Sequence, residues 1–285
     1  MTSGSVISMT AEELLRGWQP LRVGRRIEVH AELPSTNTAA LVAAENRDAD
    51  GLVVMADYQA GGRGRLGRIW HSPRRASVLC SVLLVMDDPS AATPRGNPDL
   101  QTTSADDPGI GGRLTLLAAV SVCAAVRQAT EITPSIKWPN DIFVGGRKMG
   151  GILIESRSLG GRMRAWVIGI GLNCHQQAGH FSPELRETAT SLDLAASHPI
   201  DRTAVARELL RALDARLSDP ASPSDRVLHD EWSRYALPIG HRVRLRCDGR
   251  EYAGQTLAVE PHGGLIVQCD GGIRKWFDPQ RTTLL

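Results

Sequence analysis

The sequence predicts an α+β fold in which helices pack on one mixed β-sheet and a small β-barrel follows. Two observations carry this prediction. Residues Arg113 to Thr130 are apolar nearly all round, which is typical of a buried central helix. After Pro238 the pattern changes to alternating apolar and polar residues broken by glycine turns, which predicts about four or five short strands.

The elements before the central helix follow from one cap and two β-rich runs. Ser35 precedes a helix over Thr36 to Asn46, because a serine side chain satisfies the free N–H groups of a first turn. Apolar strands are expected at Leu52 to Ala56 and at Ser77 to Met86. Nearer the N-terminus we expect a short helix and then a strand, at Ala11 to Trp18 and Arg25 to Glu28.

Between the strand Ser77 to Met86 and the central helix, the composition of Asp87 to Gly112 turns to Pro, Asp, Ser, Thr and Gly without hydrophobic periodicity. Such a segment cannot bury enough apolar surface to offset the entropy of ordering. We therefore predict an exposed, disordered insertion and assign it no function.

The second half of the chain supplies the rest of the sheet. Strands are expected at Ser135 to Trp138, Gly151 to Ser156 and Ala165 to Leu172, with Gly145-Gly146 and Gly160-Gly161 as hairpin turns. Two further helices follow. The first is capped by Asp201 and carries the apolar stripe of Val205, Leu209, Leu213 and Leu217; the second covers Asp225 to Tyr235. The best domain boundary is Ala236 to Gly240.

Composition excludes several classes of protein. The net charge is only +2, so the global balance does not call for nucleic acid or an anionic membrane as partner. The five cysteines are widely spaced, which predicts reduced packing residues and neither a disulfide framework nor a zinc site. No signal peptide is visible, and the apolar run Leu114 to Val126 is too short to span a bilayer. We expect a cytoplasmic protein.

The segment Gly61 to Trp70, GGRGRLGRIW, is the most informative. Its four glycines let backbone N–H groups approach a ligand, and Arg63, Arg65 and Arg68 bring three positive charges, so the pattern favours a cradle for polyphosphate. A basic loop facing nucleic acid or solvent is the alternative. The loop also satisfies G-x-G-x-x-G, but Pro73 ends any helix that a dinucleotide-binding loop would open, and kinase and Walker motifs are absent.

Two further strings place polar residues at strand ends. In Lys137 to Asp141, KWPND, a lysine at the end of a strand can project into a cleft, although a solvated edge lysine is the plainer alternative. Asn140 or Asp141 can help to hold Mg²⁺ or simply form a turn. In Gly169 to Asn173, GIGLN, a buried strand ends at an asparagine that would face the same cleft. No histidine pair has metal-ligand spacing.

Five strings together closely resemble the biotin–protein ligase family in motif, order and spacing. The resemblance covers about residues 30 to 285, because the string Ala189 to Leu192 and the C-terminal β-domain also look like that family. Departures are Gly61 and Gly150, where the family often has alanine. The five strings are Ser35-Thr36-Asn37, Tyr58-Gln59 with the glycine-rich segment, KWPND, KMGGILIE at Lys148 to Glu155, and GIGLN.

This resemblance implies a fold of the class II aminoacyl-tRNA synthetase and biotin ligase-like kind over residues 1–235, and an SH3-like domain over residues 238–285. It also implies a site. Arg65 and Lys137 would act in catalysis. The biotin-binding residues would be Ser35, Thr36, Asn37, Gln59, Arg63, Gly64, Arg65, Lys137 and Gly151. The ATP-binding residues would be Arg65, Arg68, Trp70, Lys137, Asn140 and Asn173; the metal ligands stay unknown.

The implied reaction forms biotinyl-5′-AMP from biotin and MgATP, and then transfers biotin to a lysine of a biotin carboxyl carrier domain of a carboxylase. The protein would be a monomer or a weak homodimer, with Mg²⁺ as cofactor. No DNA and no membrane partner is expected, because only about thirty residues precede Glu32 and a DNA-binding helix-turn-helix domain needs more.

Three rival functions are weighed against this one. A bifunctional ligase and repressor needs the missing DNA-binding domain. A lipoyl or octanoyl transferase shares the fold, but GRGR and KWPND argue against it. A C-terminal module that binds RNA or protein on an inactive ligase fold has only Tyr252, Trp276 and Phe277 as stacking aromatics.

Overall fold

The structure is a computed structural model that describes residues 8–87, 108–160, 163–218, 224–237, 239–260 and 263–285. Its core is a seven-stranded sheet in the order β1-β2-β3-β7-β6-β5-β4. Strands β1 and β2 are parallel and the other neighbours are antiparallel, so the predicted mixed sheet is confirmed. The strands are β1 Ile27–His30, β2 Val53–Ala56, β3 Ser77–Asp87, β4 Ser135–Lys137, β5 Asp141–Val144, β6 Arg147–Ser158 and β7 Met163–Asn173.

Six helices of four residues or more surround the sheet in the part of the chain described. Their bounds are α1 Ala11–Leu15, α2 Thr36–Ala43, α3 Pro108–Thr130, α4 Leu192–Ala196, α5 Arg202–Leu217 and α6 Asp225–Tyr235. Ser35 caps α2 and Asp201 caps α5, each by accepting from a backbone N–H three residues on, as the sequence predicts.

The two faces of the sheet carry different helices. Helices α3 and α5 pack on one face, where the side chains of Val53, Cys80 and Ile168 belong to the main core. Helix α2 covers part of the other face, over Val54 and Val167. Because successive side chains of a strand point to opposite faces, this arrangement leaves the rest of the α2 face open. That open area holds the cleft described below.

The predicted insertion is corrected at both ends. Asp87 is the last residue of β3, and α3 begins at Pro108 and not at Arg113, so residues 108–112 are helical. Gly111 and Gly112 obscured this start, because glycine is a poor helix former; Gly111 lies against Trp166 and Gln280, and a Cβ there would require the Gln280 side chain to move. Residues 88–107 of the predicted insertion lie outside the described residues.

Helix α3 is long and apolar enough to cross a membrane by length and composition alone. Of its most apolar stretch, however, 72% is buried inside the protein, and Leu117, Val120 and Val126 are core residues. The helix is therefore the centre of the packed core, as the sequence predicts.

The C-terminal residues form a five-stranded antiparallel sheet in the order β11-β10-β9-β8-β12, which confirms the predicted small β-unit. Two hydrogen bonds tie it to the larger sheet and its helices. Trp138 Nε1 donates to the Gly263 carbonyl at 2.7 Å, and His229 Nε2 lies 2.7 Å from the Val259 carbonyl. Its strands are β8 Arg242–Cys247, β9 Arg250–Val259, β10 Leu265–Cys269, β11 Arg274–Phe277 and β12 Thr282–Leu284.

Candidate active site

A cleft of about 580 Å³ opens on the α2 face of the large sheet, between α2, the Gly61–Trp70 segment and the C-terminal sheet. The structure brings all thirteen residues of the predicted site into this one cleft; the role of each stays a prediction. They are Ser35, Thr36, Asn37, Gln59, Arg63, Gly64, Arg65, Arg68, Trp70, Lys137, Asn140, Gly151 and Asn173.

One end of the cleft is formed by the first turn of α2. Ser35 caps the helix, and the next residue, Thr36, donates from its backbone N–H and its hydroxyl to Oε1 of Gln59, at 2.7 and 3.0 Å. Both contacts use the oxygen of the Gln59 amide. The NH₂ group is therefore the end of Gln59 that can donate to a ligand.

Asn37 is held beneath this turn by a row of residues across the sheet. Ser81, Gly169 and Leu153 lie side by side on β3, β7 and β6. The hydroxyl of Ser81 lies 2.6 Å from Oδ1 of Asn37, and the Asn37 amide donates to Glu155 at 2.6 Å. Gly169 has to be glycine, because a Cβ there would lie 2.2 Å from Oδ1 of Asn37. The register of three strands thus fixes one buried amide.

The segment Gly61–Trp70 forms a narrow hairpin over the cleft, which we call the glycine loop. The Trp70 N–H donates to the Gly62 carbonyl at 3.0 Å, and the Gly64 N–H donates to the Arg68 carbonyl at 2.8 Å. At the tip, Gly67 has φ +73°, a conformation that suits glycine. The exposed apolar side chains of Leu66 and Ile69 lie on this hairpin.

The three arginines of the loop have different surroundings. Arg63 pairs with Glu155 at 2.9 Å, and Arg68 is exposed. Arg65 reaches inward: its guanidinium donates to Oδ1 of Asn140 at 2.9 Å, to the Thr282 carbonyl at 3.0 Å and to the Pro279 carbonyl. Burial lowers the pKa of Arg65 from its usual value, although nearby Asp141 opposes the shift. Such a cation, held by neutral groups, is available to an anion.

Trp70 lines the cleft and packs against β7. A Cβ on Gly171 of β7 would lie 2.8 Å from the indole ring, so glycine is required there for the ring to pack this closely against the strand. Nε1 of Trp70 is buried and makes no hydrogen bond to any residue that the structure describes. A buried N–H without a partner costs free energy, and a bound ligand with an acceptor atom can satisfy it.

Lys148 and Asp141 also line the cleft, and the predicted site did not include Lys148. Its Nζ lies 2.6 Å from Oδ1 of Asp141, across the β5–β6 pair, and both groups lie about 3.7 Å from where a Cβ on Gly151 would be. Lys137, which was predicted, also lines the cleft, with Nζ 5.5 Å from the Phe143 ring centre. The cleft therefore holds two lysines, where sequence reasoning selected one.

The two asparagines predicted to bind ATP are engaged with protein groups. Asn140 accepts from Arg65 and donates to the Ile152 carbonyl at 2.7 Å. Asn173 donates to the Thr190 carbonyl at 3.0 Å and accepts from Gln176 at 2.8 Å. Both amides thus brace the walls of the cleft, and contact with a phosphate or metal stays a prediction for each.

The part of the chain that the structure describes offers few side chains for metal or thiol chemistry. No group of three or more His, Cys, Asp and Glu side chains lies together there. All five cysteines are free, and burial raises the pKa of Cys80 and of Cys174 to about 12. Thiols of this kind stay protonated at neutral pH and are poor nucleophiles and poor ligands.

Comparison with known families and proteins gives one consistent result. The biotin/lipoate A/B protein ligase family matches residues 29–173, which is half of the chain and includes every predicted site residue. Among curated relatives, the bifunctional ligase/repressor BirA of Bacillus subtilis is 35% identical over 94% of this chain and 77% of its own. The biotin–[acetyl-CoA-carboxylase] ligase of Mycobacterium tuberculosis is 33% identical, over 87% of this chain and 85% of its own.

A solved structure has the same fold over almost its whole length. It is the biotin protein ligase from Aquifex aeolicus in complex with biotin and ATP. It matches with a TM-score of 0.71 and 25% identity, covering 92% of this chain and 99% of that one. The likeness extends over the large sheet and the C-terminal sheet together.

Proposed function

Because this chain belongs to the biotin/lipoate A/B protein ligase family, within which it is a biotin–protein ligase, we propose that it activates biotin with ATP and transfers it to a carrier lysine. The first step joins a biotin carboxylate oxygen to the α-phosphorus of ATP and breaks the bond to pyrophosphate, which leaves. The second joins a lysine nitrogen to the acyl carbon and releases AMP. The observation that carries the proposal is the single cleft that gathers all thirteen predicted residues.

The first step brings two anions together, and the cleft is built to offset their repulsion. Arg65 inserts a desolvated guanidinium whose present partners are an amide and two carbonyls, so an anion can displace them favourably. Lys137 adds positive charge to the same cleft, and Lys148 lies there paired with Asp141. Cations fixed where charge develops in the transition state usually lower the barrier of such a reaction more than any other effect.

The α2 end of the cleft suits the ureido ring of biotin. Ser35, Thr36 and Asn37 are buried polar residues, and Gln59 is oriented to donate from its NH₂ group. A ring with one carbonyl and two N–H groups satisfies such a pocket. A lipoyl or octanoyl chain offers no acceptor to the Gln59 NH₂ group, and covering that donor without a partner would cost about 1–3 kcal/mol. This contrast favours biotin over the transferase rival.

We propose that the nucleotide binds against Trp70. The Trp70 ring lies on Gly171, and the exposed Arg68 is near it in the glycine loop. A base stacked on an aromatic ring gains about 1–3 kcal/mol. Magnesium is proposed to enter as MgATP, with phosphate and water oxygens as its main ligands, because the described residues form no acidic cluster and Asp141 is already paired with Lys148.

The acceptor is proposed to be a biotin carboxyl carrier domain of a carboxylase, in the cytoplasm. The name of the Mycobacterium tuberculosis relative supports a carboxylase as partner, and five free cysteines suit a reducing compartment. A catalytic domain over residues 1–235 and an SH3-like domain over 238–285, and a monomer or weak homodimer, remain part of this proposal.

DNA is not proposed as a partner. The helix described among residues 8–26, α1, has five residues, so this stretch by itself is not a helix-turn-helix. A gel-shift experiment with DNA from its own operon checks this. Sequence-selective binding that weakens with salt would contradict the proposal.

The test of the function is a transfer assay with radiolabelled biotin, MgATP and a biotin carboxyl carrier domain. Wild type is run beside Arg65→Ala and beside Arg226→Ala, a control on an arginine that is 91% exposed on α6. We expect label on the carrier from wild type and the control, and about 100-fold less from Arg65→Ala, the loss typical of one donor to a developing charge. Absence of both labelled carrier and biotinyl-AMP with wild type would sink the proposal.

A further inference from the structure

The ion pair between Glu155 and Arg63 has no part in the function argued above, yet it joins two walls of the cleft. Glu155 lies on β6, where alternation puts it on the same face as Gly151 and Leu153. Its side chain is 28% exposed and does not line the cleft, although those of its partners Asn37 and Arg63 do.

The contacts of Glu155 close a ring of hydrogen bonds. Oε2 accepts from Asn37 at 2.6 Å and from Arg63 at 2.9 Å, and Oε1 accepts from Arg63 at 3.1 Å. The other guanidinium nitrogen of Arg63 donates to the Thr38 hydroxyl at 2.9 Å. Because Asn37 and Thr38 are neighbours on α2, the ring links β6, the first turn of α2 and the glycine loop.

Arg63 is the residue through which such a link controls the loop. It pairs with Ile69 in an isolated β-bridge, so these two residues form the base of the hairpin. Fixing Arg63 therefore fixes where the hairpin begins and ends, while the tip around Leu66 and Gly67 stays free to adjust. Charge supports the same role, since an arginine neutralised by a carboxylate is a weaker partner for a phosphate than Arg65.

We propose that Glu155 is a positioning residue: it holds Arg63, and with it the base of the glycine loop, in place before any substrate binds. The effect on catalysis rests on the proposed function, because it concerns how the loop presents Arg65 to the reacting groups. The effect on the position of the loop itself does not rest on the proposed function. A group misplaced by as little as about 1 Å can cost on the order of 100-fold in rate.

The first arm of the test measures the loop without substrates. Glu155→Gln removes the charge and keeps the length and an oxygen that can accept from Asn37. Arg157→Gln is the matched control, since Arg157 lies on the same strand and pairs with Glu45 outside the cleft. We expect amide hydrogen exchange over residues 62–70 to be about fivefold faster in Glu155→Gln than in wild type, and unchanged in the control. Equal exchange in all three proteins would overturn the proposal.

The second arm is a double-mutant cycle on biotinyl-AMP formation. We expect Glu155→Gln to lower kcat about tenfold with less than a twofold change in the KM for ATP, and to have almost no further effect in an Arg63→Ala background. Fully additive losses would overturn the proposal, because Glu155 would then act independently of Arg63. If wild type forms no biotinyl-AMP, the proposed function fails, and the exchange measurement still decides the role of Glu155.

Discussion

The guanidinium of Arg65 donates a hydrogen bond to the Thr282 carbonyl at 3.0 Å, across 217 positions of sequence. The glycine loop is thus tied to the first residue of β12 and, through the Pro279 carbonyl, to the turn between β11 and β12. In that turn the side chain of Asp278 accepts from the Gln280 N–H at 2.7 Å, which holds the Pro279 carbonyl toward Arg65. The C-terminal sheet is therefore part of the cleft wall, and its turn sets where one key cation stands.

Loosening this turn is expected to slow the first step. Asp278→Ala removes the local hydrogen bond and the carboxylate whose charge favours the protonated Arg65. We expect biotinyl-AMP formation to fall about fivefold to tenfold, with a loss of stability of about 1 kcal/mol, typical of one hydrogen bond. Rapid-quench measurement of biotinyl-AMP, beside thermal melting, checks both numbers.

The matched control for that turn is Asp270→Ala, because Asp270 follows β10 in another turn of the same small sheet and pairs with Arg242 on β8. We expect it to leave the rate of biotinyl-AMP formation unchanged. An equal loss of rate in the two variants would mean that the C-terminal sheet acts only through its general stability.

Filling the space beside Asn37 is expected to damage the biotin end of the cleft. In Gly169→Ala the new Cβ would stand 2.2 Å from Oδ1 of Asn37, so the amide must move and break its contact with Ser81. Overpacking of this kind costs about 1–3 kcal/mol. We expect the Kd for biotin, measured by titration calorimetry, to rise at least about tenfold.

Gly179→Ala is the control, since nothing lies within 4 Å of a Cβ at that position. Its affinity for biotin should equal that of wild type. Unchanged biotin binding in Gly169→Ala would place the biotin ring elsewhere in the cleft.

Removing the Trp70 ring is expected to weaken the nucleotide selectively. We expect Trp70→Ala to raise the KM for ATP about tenfold to 100-fold, the value of one stacked base, and the KM for biotin less than threefold. Steady-state kinetics with each substrate varied in turn measures the split. Trp276→Ala, on a ring that is 42% exposed in the C-terminal sheet, is the control and should change neither KM. An equal rise in both KM values for Trp70→Ala would refute an adenine platform.

Local signals in the sequence were sufficient for most of the fold. The Ser35 cap, the Gly145-Gly146 turn and the apolar run that became α3 each depend on neighbours within a few residues, and each is confirmed. Strand β5 was missed because Pro139 and Asn140 indicate the end of a strand, whereas the chain turns there and pairs back on β4 from Asp141 onward.

What the sequence did not predict are contacts between distant segments. The pairs Arg63–Glu155 and Arg65–Thr282 join residues that no local pattern relates, so only the assembled sheet brings them together. The Lys148–Asp141 pair was within reach, since two strands joined by a glycine turn bring residues in diagonal positions close enough for long side chains to meet. The motif containing Lys148 was recognised, but its lysine was not assigned to the site.

Stability is expected to depend on pH through Asp214, which lies on α5 and is remote from the cleft. Its carboxylate accepts from the backbone N–H groups of Leu21, Arg22 and Val23 and from the Ser218 hydroxyl. Burial alone would raise the pKa of Asp214, but these four hydrogen bonds to the charged form outweigh burial and lower it.

A lowered pKa fixes the sign of the effect. The unfolded chain takes up a proton on Asp214 at about pH 3.9, before the folded chain does, so the stabilisation is complete above that pH and is lost as the pH falls through the folded pKa. We expect Asp214→Asn to cost about 1–3 kcal/mol in urea unfolding at pH 7, because an amide cannot replace a charged acceptor of three N–H groups. The difference between variant and wild type should shrink below pH 4, and Asp230→Asn, on an exposed carboxylate of α6, should show neither effect. If the loss in free energy of unfolding caused by Asp214→Asn stayed the same below pH 4, the charge of Asp214 would not be what holds residues 21–23 against α5. The shape of the side chain would then be responsible.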